Sequence, residues 1–133
     1  MPGLLTHLSV ALAGFVICQF IFKNWKYGVA FVFGHLVPDL IDFGIGAVVY
    51  RTLNPGEIMT KPLFAPLASL GHTPWHWIIF GIVIFSLIFS LFKFKKISKN
   101  KFVFFTLLLL VFLMGVSIHL ALDKLIIETS YWI

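Results

Sequence analysis

Charge is scarce in this chain. Only 11% of its 133 residues are Asp, Glu, Lys or Arg, against roughly 25% in soluble domains. Hydrophobic residues make up 60% and mean hydropathy is +1.03, which argues against a water-soluble globule. Acid is rarer still, with Asp39, Asp42, Asp123, Glu57 and Glu128 as the whole anionic set. Cysteine is reduced to Cys18 inside an apolar run; that excludes an intrachain disulfide and any Cys-based zinc motif and leaves the thiol as a small packing residue. The net charge of +5 is not a nucleic-acid footprint, because the basic residues lie in short loops between apolar runs. The opening Met-Pro-Gly-Leu-Leu-Thr-His lacks the positive leader and small-residue cleavage site of a signal peptide, so the first segment is expected to stay in the mature chain. The length suits one domain, 1–133. No internal repeat or low-complexity stretch is evident.

What is present is long apolar runs. Crossing the hydrocarbon core takes about 20 mainly apolar helical residues, and four stretches qualify: 4–22, 27–50, 74–92 and 102–122. The expected fold is all-α, a polytopic bundle of four transmembrane helices. The second span is interrupted by His35, Pro38, Asp39, Asp42, Gly44 and Gly46, which predicts a kink or unwinding near Pro38. Trp25, Trp75, Trp77, Tyr131 and Trp132 fit interfacial belts. The 51–73 loop, with Pro55, Pro62 and Pro66 around an apolar stretch, reads as a re-entrant or surface-lying lid or as an ordinary loop.

Lys and Arg in short loops set orientation. Lys23, Lys26, Lys93, Lys95, Lys96, Lys99 and Lys101 fall on one side, and Arg51, Lys61 and Lys124 on the other. Seven against three predicts a multi-pass cell-membrane protein with both termini and the 51–73 loop outside the cytoplasm. Cysteines introduced at 55–65, on a Cys18-free background, should then react with membrane-impermeant thiol reagents applied to intact cells. Labelling confined to 95–100 would reverse the topology.

At about 1.5 Å per residue, Asp39 lies roughly 20 Å above the inner end of span two. His7 opens span one, His72 and His76 open span three, and His119 and Asp123 close span four, all toward that same outer end. His35 is nearer mid-depth. His72 and His76, and likewise His119 and Asp123, stand four apart, while His35, Asp39 and Asp42 stand at i, i+4 and i+7. Each set shares one helical face. His and Asp are good ligands for zinc and other first-row metals. Metal ligands are therefore expected among His7, Asp39, Asp42, His72, His76, His119 and Asp123, with His35 a helix-packing residue or a partner of a ligand. Two other readings stay open. A metal-free hydrogen-bonded network would have to recover about 2.5–3.5 kcal/mol for each deep Asp. An ion or proton path would need polar groups in the inner half, where nothing comparable stands.

The residues also form an ordered series: an early His7, then Gly34-His35-Leu36-Val37-Pro38-Asp39-Leu40-Ile41-Asp42, then Gly71-His72-Thr73-Pro74-Trp75-His76, then His119-Leu120-Ala121-Leu122-Asp123. This series resembles the YdjM-like family of predicted membrane-bound metal-dependent hydrolases, over nearly the whole chain. That family is itself distantly similar to zinc-dependent phospholipase C, an all-helical hydrolase with a His-x3-Asp ligand pair. The resemblance implies ligands at His7, Asp39, His72, His76, His119 and Asp123, and also allows Asp42. One motif differs: the family has an Arg and ends Thr-His-Ser where this chain reads Gly-His-Thr-Pro-Trp-His-Trp, so no phosphate-binding residue is carried over there.

The favoured expectation is hydrolysis of an ester, a phosphoester above all, in a lipid-like substrate at the outer face, using one to three divalent ions, zinc first among the candidates. Asp42, Asp39 or Glu57 would take the proton of the attacking water. The alternatives are a non-catalytic metal-binding or regulatory membrane protein and an ion or proton transporter. The sequence does not name the substrate or the oligomeric state.

Overall fold

The computed structural model describes residues 3–126, so Tyr131, Trp132 and Glu128 lie outside the described residues. The elements are α1 (Leu4–Phe22), α2 (Trp25–Asp39), a π-helical turn (Leu40–Gly44), α3 (Ile45–Tyr50), α4 (Pro55–Met59), α5 (Phe64–His72), α6 (Pro74–Lys93) and α7 (Lys99–Leu125). No strand occurs among the described residues. Four helical stretches are long and apolar enough to cross a membrane: Leu4–Phe22, Trp25–Tyr50, Pro74–Lys93 and Lys99–Leu125. The protein is thus an all-α bundle of four membrane-spanning helices.

The second and fourth spans start earlier than hydropathy predicts, and side-chain caps explain why. Asn24 Oδ1 accepts the Lys26 amide at 3.1 Å, and Ser98 Oγ accepts the Lys101 amide at 3.4 Å. Capping satisfies donors that a helix start otherwise strands, so helix forms ahead of the apolar stretch. Phe20 at 78%, Val48 at 79% and Trp75 at 69% exposure would be liabilities in water but are solvated by lipid.

The core sits where α2 packs against α1 and α7, around Cys18, Tyr27, Ala30, Phe31 and Val111. Small residues let membrane helices approach closely. A methyl placed on Gly34 would run into the Phe112 carbonyl, and one on Gly115 would lie 2.8 Å from the His35 amide nitrogen. α2 and α7 therefore touch backbone to backbone one residue from His35 and one turn before His119. α6 rests on α7 and has Gly81 as its buried residue, leaving most of its surface to its surroundings.

Helix continues through Pro38 and then widens into the π turn at Leu40–Gly44. Proline removes a backbone donor and crowds the preceding turn, and in membrane helices local π adjustment helps to re-satisfy the freed backbone groups. The 51–73 segment folds back as α4 and α5. Ile58 of α4 is buried against Gly46, and a methyl on Gly71 of α5 would lie 2.7 Å from the Pro38 carbonyl oxygen. That contact seats the end of α5, and with it His72, beside the distorted part of span two.

Candidate metal centre

Three elements meet at one group of atoms. Asp39 ends α2, His72 ends α5, and His119 and Asp123 share a face near the end of α7. His72 Nε2 lies 3.2 Å from His119 Nε2, 3.0 Å from Asp123 Oδ2 and 3.6 Å from Asp39 Oδ1. His119 Nε2 lies 3.2 Å from Asp123 Oδ2 and 3.6 Å from Asp39 Oδ1. These are five of the six edges that four donor atoms define. Bonds of about 2.0–2.1 Å to a tetrahedral zinc set donors roughly 3.3 Å apart, in the middle of these distances. Two imidazole nitrogens and two carboxylate oxygens brought this close are lone-pair donors crowded together, an arrangement that asks for a proton or a cation among them.

A second group joins through α1. His35 Nδ1 is 3.3 Å from the Gly115 carbonyl, and His35 Nε2 is 3.3 Å from His7 Nδ1. A carbonyl only accepts, so His35 donates from Nδ1, and in its neutral form its Nε2 accepts from His7 Nδ1–H. His7 Nε2 is then left aimed at Asp123 Oδ1, 3.4 Å away. Two acceptors face each other there unless a proton or cation intervenes. His7, His35 and His119 are all buried, and together they form a second cluster able to hold an ion.

Several buried polar atoms here make no well-formed hydrogen bond: His119 Nδ1, and Asp42 Oδ2, His72 Nδ1 and both oxygens of Asp123, which have only imidazole–carboxylate contacts. Such orphans are expensive, and coordination to a divalent ion would relieve part of the cost. Buried His and Asp groups that could hold a metal ion are thus assembled at one end of the helix bundle. Burial works against a charge on His72, but the carboxylates of Asp123, Asp39 and Asp42 prevail and push its pKa up to about 10. A metal bound by this ring would displace that proton.

The expected residues do not all play the same part. His35 is fully buried and contacts His7 and the Gly115 carbonyl, as a partner of a ligand would. Asp42 is fully buried behind His72, with Oδ2 3.5 Å from His72 Nδ1 and Oδ1 accepting the Phe43 amide at 2.8 Å. Asp39 is the more open aspartate, its side chain 25% exposed. His76 stands apart; its Nδ1 is 3.2 Å from the Leu70 carbonyl, and Trp77 Nε1 donates to the Gly71 carbonyl at 2.6 Å. Both tie the last turn of α5 to the start of α6. Glu57 is exposed and already accepts from the Thr52 hydroxyl, which with Lys61 holds its carboxyl below the usual range.

An apolar cleft of about 380 Å³ adjoins the group and is lined in part by His7, Asp39 and Asp123. Sequence reasoning missed it, because its walls are leucines from α1 and α2 together with residues of the π turn, α3 and α4, which nothing in the linear pattern groups together. Comparison with family models, curated proteins and solved structures found no match.

Proposed function

We propose that this chain is a membrane-embedded metal-dependent hydrolase that cleaves an ester or phosphoester in a lipid-like substrate. The reading is carried by one observation: donor atoms of His72, His119, Asp123 and Asp39 linked by five contacts of 3.0–3.6 Å, with an apolar cleft at the same edge. The motif resemblance to the YdjM-like family points the same way. A bound first-row divalent ion, zinc first among them, would supply Lewis acidity and lower the pKa of a water molecule.

The chain's own residues divide the remaining work. His72, His119 and Asp123 would hold the ion from the enclosed side. Asp39, the most exposed of the four and a cleft residue, would be the outermost ligand and the proton acceptor nearest the substrate. Asp42 acts through His72, fixing its ring from behind as carboxylates behind metal-bound histidines do. The Gly115 carbonyl fixes His35 and, through it, His7, which leaves room for a second ion beside Asp123. The cleft keeps bulk water from the reacting bond. From the basic-residue bias in the loops, the site faces the non-cytoplasmic side.

Purified protein should therefore cleave a lipid-like phosphoester, lose that activity to chelator and regain it with a divalent metal. Asp42→Asn keeps volume but removes a carboxylate; by analogy with other residues behind metal ligands, it should cost roughly 10–100-fold in turnover or metal affinity while the protein still folds. Asp39→Asn should abolish turnover with metal retained. A second reading has its own support, since four protein donors can close a tetrahedron and closed sites are structural. Metal held by all four side chains, with no turnover of any ester, would decide for a non-catalytic metal-binding protein.

A further inference from the structure

The cleft is amphiphilic in a particular way. Among the described residues its charged or ionisable lining consists of His7, Asp39 and Asp123, all members of the candidate metal centre; the rest is apolar. That apolar lining includes Leu4 and Leu8 of α1, Leu36 of α2, Ala47 of α3 and Ile58 of α4. Leu53, 81% exposed, stands at the rim, and Ile58, 2% exposed, closes the depth. The π turn contributes directly, since Leu40, Phe43 and Gly44 all line the cleft.

We propose that this cleft receives a hydrocarbon chain of the substrate, while the ester or phosphoester head sits at the His7–Asp39–Asp123 end. The proposal rests on the hydrolase reading and names the part of the substrate that reading leaves undefined. Ligand sites are usually apolar with a few convergent polar groups, and about 300–1,000 Å³ in volume; 380 Å³ is within that range. A peptide segment is a poorer match, because outside a helix its backbone polar groups would meet an almost wholly apolar lining. An alkyl chain has no backbone polar groups to satisfy and is stabilised by every apolar contact it makes. The head must then reach the donors, because the polar end of the cleft and the metal centre share residues.

The test separates binding from turnover. Hexadecylphosphonate carrying a mid-chain diazirine, whose head cannot be hydrolysed, is incorporated with zinc-supplemented protein in lipid nanodiscs and photolysed. Adducts are mapped by mass spectrometry. Labelling is expected on Leu8, Phe43 and Ala47 well above that on Ile79, Ile82 and Val83 of α6, which are 58%, 59% and 58% exposed and report bulk lipid. Ala47→Phe should bring cleft labelling down to the α6 level while zinc content stays unchanged. Gly44→Leu is the second variant; a Cβ there meets only Leu40 atoms at 3.5 and 3.7 Å, ordinary contact, so the backbone accepts a side chain. Cleft labelling no stronger than that on α6, or labelling that survives both substitutions in zinc-replete protein, overturns the proposal. Wild type that labels in the cleft yet holds no zinc would keep the chain site and remove the hydrolase reading.

Discussion

Asp123→Ala is expected to empty the metal centre and to cause the largest loss of stability of any single site substitution. Asp123 is the hub: Oδ1 faces His7 of α1, and Oδ2 faces both His72 of α5 and His119 of its own helix. Its removal leaves three imidazoles crowded together without the carboxylate they share. A ligand that binds only the folded state at about 1,000 times its Kd stabilises by roughly 4 kcal/mol. For a chain of this size that corresponds to a Tm lower by roughly 10 °C or more. The check is metal content by mass spectrometry together with thermal unfolding in detergent, with and without chelator. His119→Ala should behave alike. His35→Phe should keep the metal and lose less stability, because it removes two hydrogen bonds and no member of the four-donor set. Wild-type protein with one melting temperature in both conditions would contradict the expectation.

Gly115→Val should be nearly as severe without touching a donor atom. Any Cβ at this position meets the Phe31 carbonyl and the His35 amide, which are backbone atoms that cannot turn aside as a side chain can. α2 and α7 must separate, and the crossing they form is what brings Asp39 to His119 and His35 to the Gly115 carbonyl. Overpacking costs about 1–3 kcal/mol where side chains yield, and more where they cannot; loss of both stability and metal is expected here. Gly44→Ala is the matched control, expected near neutral because its Cβ finds ordinary contacts. Measured side by side in detergent, equal Tm values for the two variants would refute the close-approach account.

Much of this was legible in the sequence because the bilayer enforces simple rules. Spans follow from apolar length, and ionisable groups within spans are expensive enough that their positions carry meaning. His119 and Asp123 share a face, as four-residue spacing requires, and the structure brings them within 3.2 Å of each other. The same spacing misleads for His72 and His76. Helix α5 ends at His72 and α6 starts at Pro74, so no single helix carries both and His76 goes to the Leu70 carbonyl instead. Proline two residues after His72 was the available signal, since the residue before a proline leaves helical geometry.

The aspartates of span two show a second limit. Asp39 and Asp42 read as equals on one face, but the π turn begins after Asp39 and carries Asp42 behind His72. A change of helical pitch alters which residues share a face, and hydropathy does not record it. Pro38 marked the neighbourhood of the defect but not its form. The cleft was illegible for a related reason, because leucines facing a cavity and leucines facing lipid look the same in a sequence.

X-ray absorption at the metal edge of the zinc-loaded protein in lipid nanodiscs tests the metal centre most directly. The account predicts retained zinc with four nitrogen or oxygen donors at about 2.0–2.1 Å, two of them with the scattering of imidazole, and loss of one imidazole in His72→Ala. A protein that retains no zinc, or holds it through the sulfur of Cys18, or shows an unchanged spectrum in His72→Ala, would contradict it.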